Sequence, residues 1–252
     1  MTTTGGLAPR RPDFGRRAST YDRLRPADAN WLEVLEAIVR LGGLEGRRVL
    51  DAGCGTGLVA AALAGRARVT AVDPEPEMLA VARRRLPPEV ELRRASAERL
   101  PFADASFDGA VLRLVVHLLD RPRALAELRR VLAPGGGLVV ATFDPAHFDG
   151  FWLNRLLPSL ERIDRARFPT PGELCAELGA AGFGPVRVER LGQRGAMDRK
   201  TALERIRGRH ISTFDLLDEE EIRAGLERAE RELPERVEYA LEWAIAVAEA
   251  PA

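Results

Sequence analysis

The stretch Val-Leu-Asp-Ala-Gly-Cys-Gly-Thr-Gly, residues 49–57, decides the fold of this 252-residue chain. Its first residues are apolar and predict a short buried strand. The three glycines at alternate positions then permit a tight turn with positive φ angles. An alanine- and leucine-rich helix is predicted from Leu58, and the first N–H groups of a helix have no partner within it. A strand, a glycine turn and a helix N-terminus in this order predict a nucleotide-type pocket at the carboxyl end of a sheet.

Strand and helix patterns alternate around this stretch. Short or alternating apolar runs predict further strands at 69–72, 90–92, 107–116, 138–142, 186–191 and 237–247. The last of these is rich in alanine and glutamate, which favour helix, but its period of two favours a strand. We therefore predict an α/β fold with a doubly wound, mostly parallel, Rossmann-like sheet of seven strands. An antiparallel edge strand and helical additions complete the predicted architecture.

Composition excludes several classes of protein. The 38 Lys and Arg residues balance the 38 Asp and Glu residues, so no charge bias indicates a nucleic-acid or membrane partner. The longest apolar runs are too short for a transmembrane helix. Residues 1–18 lack the apolar core of a signal peptide and are predicted to form a flexible tail. Two cysteines in so long a chain do not make a disulfide scaffold, so we expect a cytoplasmic protein.

An acidic residue, Asp73, ends the second strand roughly 20 residues after the glycine turn, where a carboxylate can accept hydrogen bonds from ribose hydroxyls. The alternative is that Asp73 caps the next helix, which has Pro74 and Pro76 near its start. The two roles are compatible. The glycine spacing argues against a nicotinamide dinucleotide, because Gly57 comes one residue earlier than the Gly-x-Gly-x-x-Gly pattern requires.

Taken together, these residues resemble the class I S-adenosylmethionine-dependent methyltransferases, in their broad small-molecule (type 11) group. The resemblance spans roughly residues 21–191. It rests on five blocks in order: residues 49–57, Asp73 with Pro74, residues 97–102, residues 105–108 and residues 132–136. It implies transfer of a methyl group from S-adenosylmethionine to an oxygen, nitrogen or carboxylate of a small molecule, with S-adenosylhomocysteine as the product.

The resemblance also implies a cofactor site. Asp51 and the glycines would face the methionine part, Asp73 the ribose, and Met78 the adenine or ribose. Tyr21 and Arg25 resemble lid residues, although the segment around them is equally consistent with a linker that packs on the body. The implied cofactor residues are Tyr21, Arg25, Asp51, Ala52, Gly53, Cys54, Gly55, Gly57, Asp73, Pro74, Met78, Ser96, Ala97, Glu98 and Leu114. No metal ligand is expected.

Ser96 departs from the family pattern, because many relatives have there an aspartate that hydrogen-bonds the adenine amino group. A serine hydroxyl still accepts a hydrogen bond but carries no charge. The expected cost is about 1 kcal/mol. Glu98 or a main-chain group would then carry more of the adenine recognition.

Methyl transfer needs a general base only if the acceptor must lose a proton. His117 follows the strand that ends near the sulfonium and is the best-placed candidate; His147 and His210 are the others. A structural role is the alternative for each of them. Arg113 either pairs with Asp108 or binds an anionic acceptor.

We expect one methyltransferase domain over residues 19–252, acting on a small molecule as a monomer or homodimer. Residues 19–42 would form a lid and N-terminal helix, residues 43–143 the cofactor-binding core, and residues 144–252 the substrate-side insertions and last two strands. Aromatic residues crowd into 147–167 and predict either an extra core helix or a wall of the substrate pocket. The alternatives are an RNA-base methyltransferase, a non-catalytic binder of S-adenosylmethionine, and an NAD-binding oxidoreductase.

Overall fold

One seven-stranded sheet organises the part of the chain that the structure describes, residues 12–251 of a computed structural model. In chain order the strands are β1 Arg48–Ala52, β2 Arg68–Asp73, β3 Glu91–Arg94, β4 Phe107–Arg113, β5 Leu132–Phe143, β6 Arg187–Asp198 and β7 Arg236–Glu249. Their order across the sheet is β3-β2-β1-β4-β5-β7-β6. The first five pair in parallel, and β7 runs antiparallel to both β5 and β6.

This topology confirms the predicted α/β, mostly parallel sheet. The two C-terminal strands pair antiparallel to each other at one edge of it, as the sequence predicts. The antiparallel strand itself lies second from that edge, because β7 inserts between β5 and β6. The chain order reverses between β1 and β4, and this switch point opens a crevice at the carboxyl ends of the strands.

Helices cover both faces of the sheet. Their bounds are α1 Tyr21–Leu24, α2 Ala29–Gly42, α3 Leu58–Leu63, α4 Pro76–Arg85, α5 Arg121–Val131, α6 Leu160–Arg167, α7 Pro171–Ala180, α8 Arg199–Arg207 and α9 Glu219–Glu232. Their starts follow from side-chain caps. Asp28 accepts a 2.9 Å hydrogen bond from the Trp31 N–H at the start of α2, and Thr170 with Glu173 forms a capping box on α7.

Successive residues of β1 pack on opposite faces of the sheet. Val49 belongs to a core with α2 and α3, whereas Leu50 belongs to a core with α5 and α7, and both are fully buried. A third apolar cluster lies within the C-terminal half and includes Leu153, Leu157 and Phe214. The segment after β5 therefore builds a small core of its own beside the sheet.

Some predicted bounds change. Strand β4 stops at Arg113 instead of reaching residue 116, because Leu114 takes a left-handed φ of 53° that ends the pleat. Residues Val116–Leu118 then form a single 3-10 turn. Strand β6 continues to Asp198, well past the predicted end at residue 191.

Part of the tail predicted over residues 1–18 is packed against the body. Residues 1–11 lie outside the described part of the chain. Residues Gly15–Arg17 form a 3-10 turn, and the buried guanidinium of Arg17 pairs with the carboxylate of Asp215. A buried ion pair fixes this short segment in place. Across residues 12–251, no helix combines the length and apolar character that a membrane crossing requires.

Candidate functional site

A cavity of about 1300 Å³ opens at the carboxyl ends of β1, β2 and β4. All but three of the residues that the resemblance implies line it. These are Tyr21, Asp51, Gly53, Cys54, Gly55, Asp73, Pro74, Met78, Ser96, Ala97, Glu98 and Leu114, together with His117. The sheet topology thus brings residues from five separate segments of the chain to one place.

The remaining three residues lie elsewhere. Ala52 is fully buried in the core beneath α5. Gly57 begins α3 with a φ of 80°, and a Cβ there would approach the Cβ of Ala82 to 3.1 Å, so it allows α3 to pack on α4. Arg25 lines a second, smaller cavity.

The glycine turn is held to the sheet and is open towards the larger cavity. The N–H groups of Gly53 and Cys54 both donate to the Val72 carbonyl, at 2.8 and 2.9 Å. Gly55 has a φ of 54°, and a Cβ placed on it would meet no atom within 4 Å. Backbone without a side chain therefore borders the cavity at Gly55.

Asp51 carries an unpaired carboxyl oxygen at the end of β1. The residue is 2% exposed, and the backbone of Ala60 only partly offsets the effect of this burial on its carboxyl group. Oδ2 has no hydrogen-bond partner among the described residues. Burial, reinforced by the nearby charge of Asp73, raises the pKa of Asp51 to about 7. A cationic group in the cavity would stabilise the ionised form.

Asp73 fixes the glycine turn from the neighbouring strand. Its Oδ2 accepts from the Gly55 N–H and its Oδ1 from the Glu75 N–H, both at 2.9 Å. Glu75, not Asp73, holds the N-cap position of α4. Burial raises the pKa of Asp73 despite these two hydrogen bonds. Each carboxylate oxygen can accept more than one hydrogen bond, so both remain available to a ligand hydroxyl.

The N-terminal segment lies against the glycine turn. Asp22 of α1 accepts a 2.7 Å hydrogen bond from the Thr56 hydroxyl and pairs with Arg85 of α4. This arrangement places Tyr21 on both cavities. Arg25 lies over the Tyr21 ring and donates a 3.1 Å hydrogen bond to its hydroxyl. The segment therefore packs on the body, as the linker alternative predicts. Through Tyr21 it also borders both cavities.

The side chains of Ser96 and Glu98 both line the larger cavity and are hydrogen-bonded to each other. The Ser96 hydroxyl donates to one carboxylate oxygen of Glu98, and the other oxygen accepts from the Asp120 N–H at 3.1 Å. The serine that replaces the family aspartate thus orients a carboxylate two residues later.

His117 lies flat against Phe168, with ring centroids 3.9 Å apart and an interplanar angle of 14°. Burial, with a smaller contribution from Arg167, lowers its pKa well below 6.5, so the imidazole is neutral at pH 7. The other two histidines line the smaller cavity instead. Burial lowers the pKa of His147 to about 4 and that of His210 to about 3.

Arg113 borders both cavities. Its guanidinium lies 5.3 Å from the ring centroids of Trp31 and of Trp243, which enclose it. The predicted pairing of Arg113 with Asp108 is wrong: Asp108 lies at the opposite end of β4 and bonds Arg48 at 2.6 Å. Successive sites along a strand are only about 3.3 Å apart, so five positions separate the two residues by roughly 17 Å.

The smaller cavity contains functional candidates that sequence reasoning missed. Its walls include Trp31, Phe143, Gln193, Arg205, Tyr239 and Trp243. These residues come from α2, β5, β6, α8 and β7. No local motif links them, and only the insertion of β7 next to β5 brings them together.

Comparison with known proteins now places the chain in a family. A family model described as a methyltransferase domain matches residues 50–140. The ubiquinone/menaquinone biosynthesis C-methyltransferase UbiE of Syntrophotalea carbinolica is 35% identical over 219 residues, which cover 82% of this chain and 88% of that protein. The chain belongs to the class I S-adenosylmethionine-dependent methyltransferases.

Other methyltransferases match in part. The demethylmenaquinone methyltransferase of Thermus thermophilus is 38% identical over 171 residues, covering 58% of this chain and 77% of that protein. The O-methyltransferase cnsE of Penicillium expansum is 43% identical over 120 residues, but these are 44% of each protein. The chain thus spans about half the length of several of the curated relatives that it matches.

Solved structures share the methyltransferase fold. The phosphoethanolamine N-methyltransferase 2 of Haemonchus contortus, in complex with phosphomonomethylethanolamine and S-adenosylhomocysteine, superposes with a TM-score of 0.63. The alignment has 20% sequence identity and covers 98% of this chain and 61% of that one. The identity is too low to carry more than the fold.

Proposed function

We propose that this chain transfers a methyl group from S-adenosylmethionine to a small-molecule acceptor, with the cofactor in the larger cavity and the acceptor in the smaller one. The observation that carries the proposal is the buried, unpaired Oδ2 of Asp51 beside the open backbone at Gly55. A buried acceptor without a partner costs free energy unless a ligand satisfies it. A cofactor that brings both a cation and hydroxyl groups fits this site.

The residues around the larger cavity match the parts of such a cofactor. Asp51 would bind the ammonium group of the methionine part. A cation next to this buried carboxyl stabilises its ionised form. Asp73 would accept hydrogen bonds from the ribose hydroxyls. Met78 would lie against a face of the adenine ring, and Ser96 with Glu98 would accept from the adenine amino group.

When bound, S-adenosylmethionine supplies a methyl group that is already electrophilic. The work left to the protein is to align the acceptor with the breaking S–C bond and to exclude water. Arg113 and Tyr21 border both cavities and would position the acceptor at their junction. His117 is neutral and lines the larger cavity, so it would take the proton of an acceptor whose reacting atom extends across the junction into that cavity.

Calorimetry with S-adenosylmethionine tests the cofactor assignment. We expect binding by the full chain and a loss of at least about tenfold in Asp73→Ala, because a charge-assisted hydrogen bond is worth about 1.5–3 kcal/mol. Asp104→Ala is the matched control, since its side chain is 80% exposed and does not line the cavity. Absence of binding in the folded protein would overturn the assignment, and binding of NAD instead would favour an oxidoreductase.

Turnover separates an enzyme from a binding protein. The purified chain would be incubated with S-adenosylmethionine and a panel of small molecules, and the release of S-adenosylhomocysteine would be followed. Release that depends on one acceptor class and disappears in Asp51→Asn supports the proposal. Binding of the cofactor with no release across the panel, or with release only on RNA, would contradict it.

A further inference from the structure

The smaller cavity has the size and walls of a site for one aromatic ring. Its volume is about 150 Å³. A cavity of this volume accommodates a single benzene-sized molecule. The aromatic walls are Trp31, Phe143, Trp152, Tyr239 and Trp243. A planar ring placed among them would gain stacking and edge-to-face contacts that an aliphatic group cannot make to the same extent.

The same cavity carries an excess of positive charge. Arg25, Arg113 and Arg205 line it, and none of them has a carboxylate within 4.0 Å among residues 12–251. The only acidic side chain on its lining, within that range, is Asp28, which already caps α2 by accepting from the Trp31 N–H. Three guanidinium groups therefore share the lining of this cavity with one carboxylate.

The charge of Arg25 acts on both of the other guanidinium groups. Burial and, to a smaller extent, the charge of Arg25 lower the pKa of Arg113 to about 10, although Tyr21, Asp51 and Asp28 oppose the fall. The pKa of Arg205 falls for the same two reasons, although Tyr239 opposes the fall. Burial, and after it the charges of Arg25 and Arg205, lower the pKa of His210, which lines the same cavity. Cations that destabilise one another in this way gain from a shared anion.

Unpaired N–H groups surround the same point. The Nε of Arg113 and the Nε1 of Trp31 have no hydrogen-bond partner among the described residues, and Trp31 is only 8% exposed. On the other side of the guanidinium, Trp243 donates a 2.9 Å hydrogen bond to Gln193, which is itself held by the Asn30 carbonyl. One wall is thus fixed by the protein, whereas the other presents donors that lack an acceptor.

We infer that the smaller cavity binds the acceptor as a single-ring aromatic carboxylate, with the ring among the aromatic walls and the carboxylate on Arg113. The Nε and one terminal nitrogen of a guanidinium form a planar fork that matches both oxygens of a carboxylate. A neutral aromatic molecule would leave this fork unpaired, and an aliphatic carboxylate would forgo the ring contacts. The inference rests on the proposed function, because Arg113 would set the acceptor at the junction with the cofactor cavity.

Calorimetry on the full chain tests the inference with three probes of similar size, in the presence of S-adenosylhomocysteine. Benzoate has the ring and the charge, benzamide only the ring, and cyclohexanecarboxylate only the charge. We expect benzoate to bind at least about tenfold more tightly than either of the others. Arg113→Gln should abolish its advantage over benzamide, and Arg187→Gln, on the exposed outer strand, should retain it.

The outcomes separate this inference from the proposed function. Binding of S-adenosylhomocysteine with equal affinities for benzoate and benzamide overturns the aromatic carboxylate alone. Failure of both S-adenosylhomocysteine and S-adenosylmethionine to bind overturns the proposed function itself. If Arg113→Gln does not fold, as judged by circular dichroism, Arg113→Lys keeps the charge but lacks the planar fork, and it should lower the preference for benzoate over benzamide. Unchanged benzoate preference in a folded Arg113→Gln would also contradict the inference.

Discussion

Thr56 in the glycine turn donates a 2.7 Å hydrogen bond from its hydroxyl to the carboxylate of Asp22, 34 positions earlier in the chain. Asp22 also pairs with Arg85 of α4, whose guanidinium donates to the Thr56 carbonyl as well. Three elements thus meet at one carboxylate. This contact joins the segment that contains Tyr21 to the wall of the larger cavity.

Loss of this carboxylate should loosen the N-terminal segment. We expect Asp22→Ala to lower the free energy of unfolding by about 1–3 kcal/mol, because it leaves a half-buried guanidinium and a buried threonine hydroxyl without their partner. Hydrogen exchange should increase over residues 21–25. Cofactor affinity should fall as well, because Tyr21 lines the larger cavity.

An exposed ion pair provides the control. Arg23, on the same helix as Asp22, pairs with Glu204 of α8 at 3.6 Å, and both side chains are exposed. Glu204→Gln should therefore change the free energy of unfolding by less than about 1 kcal/mol. Equal effects of Glu204→Gln and Asp22→Ala on exchange and cofactor affinity would contradict a specific role for Asp22.

Substitutions at two glycines with positive φ angles distinguish an effect on stability from an effect on ligand binding. Gly55 and Gly46 both have positive φ angles, and a Cβ on either meets no atom within 4 Å. Alanine at each should cost about 1–2 kcal/mol of stability from the left-handed conformation. Only Gly55 borders the larger cavity, so only Gly55→Ala should also weaken S-adenosylmethionine binding strongly. Similar affinities in the two variants, measured by calorimetry, would show that the cofactor does not approach the turn.

Asp51 should make the stability of the protein depend on pH. Its pKa of about 7 in the folded state lies above the usual 3.8, so the folded protein holds a proton that the unfolded chain releases between about pH 4 and 7. The free energy of unfolding should therefore fall as the pH rises through this window. Asp51→Asn removes this fall and should raise the Tm at pH 8 by about 3–6 °C, with a smaller gain at pH 4.

The same substitution should weaken cofactor binding. A carboxylate that contacts a cation contributes about 1.5–3 kcal/mol, so affinity should fall by about one to two orders of magnitude at pH 8. The loss should shrink at pH 5.5, where the wild-type carboxyl is largely protonated in the free protein. A variant that is neither more stable at pH 8 nor weaker in binding would contradict the assigned position of Asp51.

The two cavities differ in how far their residues can be predicted from the sequence. The larger cavity is made of contiguous blocks at strand ends, and a parallel sheet necessarily brings such ends to one edge. Asp51, Asp73 and Glu98 could therefore be grouped before any coordinates were known. The fold class followed in the same way, from the alternation of periods of two and 3.6.

The smaller cavity could not be predicted in this way. Its walls depend on the insertion of β7 between β5 and β6, which no local pattern encodes. The Trp31–Arg113–Trp243 stack joins three residues that are far apart in the chain. The pairing of Arg113 with Asp108, one of two alternatives for Arg113, fails because five positions of extended strand separate the two residues. Long-range pairing and side-chain direction were the missing information.

The last prediction concerns His117, whose surroundings should give kcat a distinctive dependence on pH. The imidazole is stacked on Phe168 and has a pKa well below 6.5, so it is already neutral at pH 6.5. If it accepts the acceptor's proton, kcat should fall by about 10²–10⁴ in His117→Gln, with little change in cofactor affinity. The wild-type kcat should show no inflection near pH 6.5.

The control is His147→Gln, which alters the smaller cavity and should act chiefly on the KM for the acceptor. A His117→Gln variant with an unchanged kcat would assign the ring a packing role only.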